Sequence, residues 1–281
     1  MILYVLAFSG IASAESQWQG VWIGRDQVSK PNSWYCFRNE IELSKSPKTA
    51  VANIACDSKY WLWINDEMVV FEGQLKRGPT PKDTYYDEID LTRHLKKGKN
   101  TIAVLVWYFG KHGFAHNSSG KAGLIFDADI DGKSVVSDSS WKVKLHPAYS
   151  STAKPHPNWR LAEPNIKFDA QNEIAGWYKS GFDDSGWTSA AEFGKPPVAP
   201  WNKLEKRQIL QWKNTGIIDY KKVTEKNNDD GTKTVIGVLP YNCQITPYLK
   251  IDAPAGLTVN MQGDNYNNMP NGPTVRAEYI T

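Results

Sequence analysis

Thr49–Phe71 reads TAVANIACDSKYWLWINDEMVVF. Alternation is strict in its middle: Tyr60, Leu62 and Ile64 share one parity, Trp61, Trp63 and Asn65 the other. Successive side chains of a strand point to opposite faces, so both faces here carry large apolar surface. The pattern predicts two strands, a tight turn at Asn65–Asp66 and a return strand. A strand apolar on both sides needs a cover on each. That places it centrally in a layered β structure, with a second layer over the tryptophan side.

The flanking sequence extends the same texture. Gln17–Gly24 reads as an entry strand, and Gln27–Trp34 as a polar loop. Tyr35–Leu43 has clean period two, with Tyr35, Phe37, Asn39, Ile41 and Leu43 on one side. Cys36, Arg38, Glu40 and Glu42 lie opposite, which predicts a half-exposed strand. Thr84–Leu91 is another strand, and Asp90 or Thr92 is placed to cap a one-turn helix over Arg93–Lys97. Thr101–Phe109 (TIAVLVWYF) is β-branched throughout its middle and reads as a central strand. Ala122–Ile130 and Ser134–Val136 form a hairpin about Asp131-Gly132, and Trp141–Leu145 is a further strand. The fold class expected is all-β, a jelly-roll (galactose-binding-like) sandwich over residues 15–150.

Residues 151–205 differ. Pro155, Pro157, Pro164, Pro196, Pro197 and Pro200 punctuate them, and Trp159, Trp177, Phe182 and Trp187 need burial. This predicts an extended wrap over the sandwich instead of a free linker. Residues 206–281 return to β texture, with strands expected at Thr234–Val238, Gln244–Ile251 and Leu257–Gln262. Tyr279-Ile280-Thr281 looks like mid-strand. The expectation is a second, incomplete sandwich with an unpaired edge there.

Composition bounds the function. An apolar share of 41% and a charged share of 22% belong to a globular chain, and a net charge of +3 gives no case for nucleic acid. Met1–Ile11 is a short apolar run before Ala12-Ser13-Ala14, the pattern of a secretory signal peptide over 1–14, too short for a membrane span. The expected location is therefore secreted or periplasmic. Cys36, Cys56 and Cys243 are an odd set without metal spacing, and the five histidines make no zinc motif. No metal and no cofactor are expected. Twelve Trp and thirteen Tyr supply flat faces that suit sugar rings as well as domain seams. Candidate carbohydrate contacts are Trp61, Trp63, Trp107, Tyr108, His112 and His116, with Trp61 and Trp63 fitting a seam better than a platform.

A family resemblance follows from an ordered set of pieces: Trp22-Ile23-Gly24, Phe37–Leu43 (FRNEIEL), the strand Asp57–Asn65, Asp87–Thr92 (DEIDLT) and Leu95–Ile102 (LKKGKNTI). Phe168-Asp169-Ala170, Gly181–Trp187 (GFDDSGW), Pro247–Gly256 (PYLKIDAPAG) and Val275–Ile280 (VRAEYI) continue it. The chain resembles the N-terminal part of bacterial α-L-rhamnosidases, the family-78 glycoside hydrolases, with Asp66 in the slot where that family usually has glycine. The resemblance implies a multidomain secreted enzyme acting with inversion on rhamnose-containing glycans or glycosides. Its two catalytic carboxylates would sit in an (α/α)6 barrel C-terminal to these residues, against which this chain would pack. No catalytic residue is carried over. Asp183-Asp184, Asp87/Asp90 and Asp127/Asp129/Asp131 read as turn, cap and hairpin-flanking residues. The alternatives are a free-standing carbohydrate-binding module, or the sugar-binding domain of another glycoside hydrolase such as a β-galactosidase-like enzyme.

Overall fold

A computed structural model describes residues 18–74, 78–114, 116–154, 161–213, 215–243, 245–263 and 275–281. The signal-peptide segment, Pro155, Pro157 and Trp159 lie outside the described residues. The chain forms β1 (Trp22–Gly24), β2 (Ser33–Leu43), β3 (Ala50–Asp57), β4 (Lys59–Ile64), β5 (Glu67–Gln74), β6 (Thr84–Asp90) and β7 (Gly98–Tyr108). Next come β8 (Gly123–Ile130), β9 (Lys133–Val136), β10 (Lys142–Leu145), β11 (Tyr149–Ser151) and β12 (Ile166–Asp169). After these come β13 (Thr188–Ser189), β14 (Ala191–Gly194), β15 (Leu204–Lys206), β16 (Lys222–Asn227), β17 (Lys233–Val238), β18 (Thr258–Gln262) and β19 (Arg276–Ile280).

The contacts divide the chain into two compact units. The first contains the chain up to His146, together with Arg160–Ala162 and Gly176–Ile209. It is a sandwich of two sheets, ordered β14-β1-β8-β3-β6-β15 (with β9 on β8) and β13-β10-β2-β7-β4-β5. Their inner faces meet in one core. Tyr60, Leu62 and Ile64 of β4, Ile102, Val104 and Val106 of β7, and Ile54, Leu124 and Phe126 of the opposing sheet are inaccessible to solvent. The parity of the opening stretch therefore assigns the faces correctly. The turn falls at Asn65 and Asp66, both with positive φ (49° and 74°), the left-handed geometry that Asn and Asp tolerate best. The Asp131-Gly132 hairpin forms likewise, and β7 lies between β2 and β4. That position explains its continuous apolar run: Ala103, Leu105 and Trp107 on its outer side are buried too.

Three local expectations fail for physical reasons. β2 is half-exposed only in its second half, because Cys36 and Arg38 are wholly buried, Arg38 beneath the 176–187 segment. Its strand also begins at Ser33, since Trp34 pairs with Trp107. Asp90 does cap the Thr92 amide at 2.9 Å, but only a turn follows, and β7 starts already at Gly98.

The second unit gathers Pro147–Trp159, Glu163–Ala175 and Leu210–Thr281. Its sheet runs β11-β12-β19-β18, with β12 and β19 parallel. Phe168 stacks on Tyr279 and meets Tyr149 edge-on. β19 is paired on both sides, so Tyr279 and Ile280 form an inner strand and not the unpaired edge expected from sequence. Residues 245–251 form no strand: Pro247 cannot donate to a ladder, and these side chains stay exposed. Among the described residues, β16 and β17 pair only with each other, as a two-stranded hairpin.

Candidate functional site

The outer face of β2, β7 and β4 carries the tryptophans singled out from sequence. Register sets them side by side: Trp34 opposite Trp107, and Trp61 opposite Leu105. Trp34 consequently stacks on Trp107 at 4.6 Å and on Trp61 at 5.3 Å, a three-indole stack. Trp107 is buried, its indole N–H donating to Asn32 Oδ1 at 2.8 Å, and Tyr108 is buried on the core side. Trp61 alone of the stack keeps partial exposure. Sequence reading missed Trp34, because its partner is decided by pairing with a strand seventy residues on.

One register step along, Trp63 is buried under the strap, residues 176–207, which runs over the sandwich. It lies flat on Tyr178 at 5.2 Å and edge-on to Trp177 at 5.5 Å. The strap is held by Arg38, whose side chain is 0% exposed. Arg38 Nε donates to Asp184 Oδ2 at 2.9 Å, and Nη1 donates to the Trp177 and Lys179 carbonyls at 2.6 and 3.0 Å. Phe182 covers the guanidinium at 5.4 Å. Asp66 takes the Ser180 amide at 2.5 Å, which gives the departure from glycine at this turn a physical role. The GFDDSGW stretch is thus a latch: Asp183 caps the Ser185 amide, and Asp184 is the counter-ion of Arg38.

The opposite sheet is covered by the strap's second half. Trp201 stacks on Trp22 at 4.4 Å, in space left by Gly123, where any Cβ would stand 2.5 Å from the Trp201 ring. Lys121 lies over the Phe193 ring at 3.4 Å and donates to Gln27 Oε1, and partial burial lowers its pKa below the ordinary lysine value. The strap ends on a buried ion pair: Arg207 Nε meets Asp87 Oδ1 at 2.5 Å, and Tyr60 donates to Asp87 Oδ2 at 2.8 Å. Asp87 is therefore no cap or turn residue. Asp90 and Asp129 take backbone amides of their own turns, as their settings suggest, whereas Asp127 takes the amides of Gln19 and Gly20 and Asp131 those of Lys48 and Thr49, each more than eighty positions away.

At the loop end, His112 is exposed while His116 is buried, so the two histidines do not share an environment. His116 packs edge-on against Phe109, and its Nε2 is 3.3 Å from the buried Asp57 carboxylate. Burial pushes the Asp57 carboxyl up. His116, Ser119 and Ser58 outweigh that and hold it below the usual carboxylate value. Ser58 donates to Asp57 at 2.5 Å and accepts the Phe109 amide, tying β3, β7 and the 110–121 loop together. Sequence reading missed Asp57, which sits in the middle of the opening stretch. Burial raises the thiols of Cys36 and Cys56 well above their ordinary range, so neither is a nucleophile at neutral pH. Among the described residues, no three His, Cys, Asp or Glu side chains converge to hold a metal ion.

Comparison with known proteins adds to this geometry. A family model described as "Alpha-L-rhamnosidase N-terminal domain" matches residues 45–209. An α-L-rhamnosidase of Formosa agariphila is 27% identical over 169 residues, 56% of this chain and 17% of that protein. The GH78 family rhamnosidase of Bacillus sp. GL1 superposes with a TM-score of 0.59 at 30% identity, over 75% of this chain and 21% of its own. The α-L-rhamnosidase of Aspergillus terreus superposes with a TM-score of 0.64 over 93% of this chain and 31% of its own; at 21% identity that likeness is one of fold. The chain spans about a sixth of the length of the curated relative it matches.

Proposed function

This chain belongs to the Alpha-L-rhamnosidase N-terminal domain family, and from that premise we propose that it is the accessory β portion of a secreted glycoside hydrolase that removes terminal α-L-rhamnose from glycans or glycosides. One observation carries the reading: the family match ends at residue 209, where the last segment of the first compact unit also ends. The match and the folded body share that boundary. The carboxylates best placed to be mistaken for a catalytic pair support an accessory role. Asp57, Asp87 and Asp184 are each committed to partners of their own fold. In this reading the acid and base reside in a helical barrel elsewhere in a longer polypeptide. Export rests on the apolar run Met1–Ile11 and on Ala12-Ser13-Ala14.

Within that enzyme we assign sugar contact to Trp61 and His112, the solvent-reaching members of the candidate set, and a supporting role to Trp63, Trp107, Tyr108 and His116. The test of the function is release of nitrophenol from a nitrophenyl α-L-rhamnoside. The longer polypeptide containing this chain releases it, and the 281-residue chain alone does not. Hydrolysis by the 281-residue chain would sink the accessory role. A longer polypeptide inert on rhamnosides but active on another glycoside would sink the substrate.

A further inference from the structure

Two loops meet at one end of the first sandwich: residues 25–32, between β1 and β2, and residues 109–122, between β7 and β8. Asn32 N donates to the Phe109 carbonyl at 3.2 Å, Ala122 N to Ser29 Oγ at 3.0 Å and Lys121 Nζ to Gln27 Oε1 at 3.0 Å. Pro31 lies so close to Gly110 that a Cβ there would stand 2.7 Å from the Pro31 Cα. Lys30 and Lys111 adjoin that contact in sequence, so the backbone brings the two lysines together.

The second of these loops is fixed from beneath. Asp57 takes the Ser119 amide and stands 3.3 Å from His116 Nε2, and the Gly113 amide donates to the His116 carbonyl at 3.0 Å. His112 is left exposed and Phe114 is 66% exposed. Val28 stands 84% exposed on the neighbouring loop. Side chains presented by a loop already held in place bind a ligand without the cost of ordering it.

Charge is concentrated at the same end. In residues 25–31 and 110–121 the cations Arg25, Lys30, Lys111 and Lys121 stand against one acid, Asp26, which gives these loops the +3 of the whole chain. Asp26 is engaged by Arg25 at 3.4 Å, and the Asp57 carboxylate is buried. An exposed ring with polar donors beside it fits a sugar, and the excess of lysine fits one that carries negative charge. One ring and one valine, set among Gln27, Ser29 and His112, are too little apolar surface to hold a lipid bilayer.

We propose that Lys30, Lys111, His112 and Phe114 form a subsite for an anionic sugar unit of the glycan, a uronate or a sulfate ester. Phe114 takes the face of the sugar ring, and the two ammonium groups and the imidazole take its acidic group. The proposal rests on the reading of His112 as a sugar contact and gives that contact a substrate class.

Isothermal titration of the 281-residue chain with an oligogalacturonate, a sulfated galactan oligosaccharide and a neutral galactan oligosaccharide tests it. One of the acidic probes is expected to bind about tenfold more tightly than the neutral one, and which of them does so identifies the acidic group. The double variant Lys30→Ala, Lys111→Ala weakens that binding about fivefold to tenfold. Phe114→Ala weakens it about threefold to tenfold, and Tm checks that each variant is folded. Equal affinity for the neutral probe, or no binding of either acidic one, overturns the proposal. Acidic-probe binding untouched by Phe114→Ala also overturns it, since bare charge attraction would then be the whole effect. So does tighter capture by phosphatidylglycerol vesicles that Phe114→Ala abolishes, which would make the loop end a lipid site. Rhamnoside hydrolysis by the longer polypeptide is read separately. An active enzyme whose loop end ignores acidic glycans rejects this subsite and leaves the function standing, and acidic-glycan binding beside an inert enzyme does the reverse.

Discussion

Arg38 and Asp184 lie 146 positions apart in the chain and meet at 2.9 Å, with the arginine side chain wholly removed from solvent. A guanidinium in that position has to be neutralised and hydrogen-bonded, and the strap does both through Asp184 and two carbonyls. Arg38→Leu removes the charge and leaves Asp184 and both carbonyls without their partner. The expected loss is about 3–5 kcal/mol, the range for breaking one side of a buried pair. Thermal unfolding measures it, and a red shift of tryptophan emission from Trp177 and Trp187 reports release of the latch.

Asp66→Gly puts at this turn the residue that adopts positive φ most readily. Positive φ then costs nothing, but the Ser180 amide loses its acceptor. The two effects oppose each other, so net stability shifts by less than about 1 kcal/mol. Exchange of the Ser180 amide nonetheless accelerates, which NMR resolves. An unchanged rate would show that Asp66 does not hold the strap.

Asp87→Asn strips the charge from the pair with Arg207 while keeping the shape. Arg207 is 9% exposed, and its cation is then left without compensation. Stability falls by about 3 kcal/mol or more, and amides of Leu204–Lys206, paired in parallel with β6, lose protection first. Arg207→Met in the same background recovers part of the loss, because the unpaired charge has gone.

His146 is buried, and burial lowers its pKa to about 4 from an ordinary 6.5. The unfolded chain therefore binds a proton between those values that the folded chain does not. Stability from this residue is complete above about 6.5 and declines as pH falls toward about 4. His146→Gln flattens the Tm profile in that window. Asp57, held below the ordinary carboxylate value, acts lower: its contribution is present above about 3.9 and disappears as pH falls further.

Trp61 and Trp63 separate two roles that sequence alone assigns to both. Trp63→Ala opens a cavity beneath the strap and costs about 3–5 kcal/mol. Trp61→Ala, at the open end of the stack, costs much less stability and weakens rhamnoside binding by the longer enzyme about threefold to tenfold, the scale of one lost ring contact. Isothermal titration with rhamnose decides whether Trp61 touches sugar.

What the sequence disclosed, and what it withheld, follows the range of the interactions. The parity of Tyr60, Leu62 and Ile64 assigns the inner face because alternation is a local property of a strand. The turns at Asn65–Asp66 and Asp131-Gly132 are legible for the same reason, since positive φ is written into residue type. Arg38 misled because its alternation predicts an outward side chain, and it is outward. The cover arrives from residues some 140 positions later. Asp87 resembled a cap beside Asp90 until Arg207 and Tyr60 reached it. Trp34 and Trp61 share a stack only because each strand pairs with β7. Each of these depends on which strand pairs with which, information that no local window contains.

The second unit's sheet has a consequence for synthesis. β12 is held by β19, whose first residue lies 111 positions after Asn165, and the whole strap is made in between. At ribosomal speeds of about 5–20 residues per second, β11 and β12 wait roughly 5–20 s for the partner that completes their ladder. During that interval the first sandwich can already close, while Tyr149 and Phe168 have no Tyr279 to stack on. The nascent chain therefore passes through a state with one finished body and one half-built sheet, the point at which chaperones and proteases have their best access.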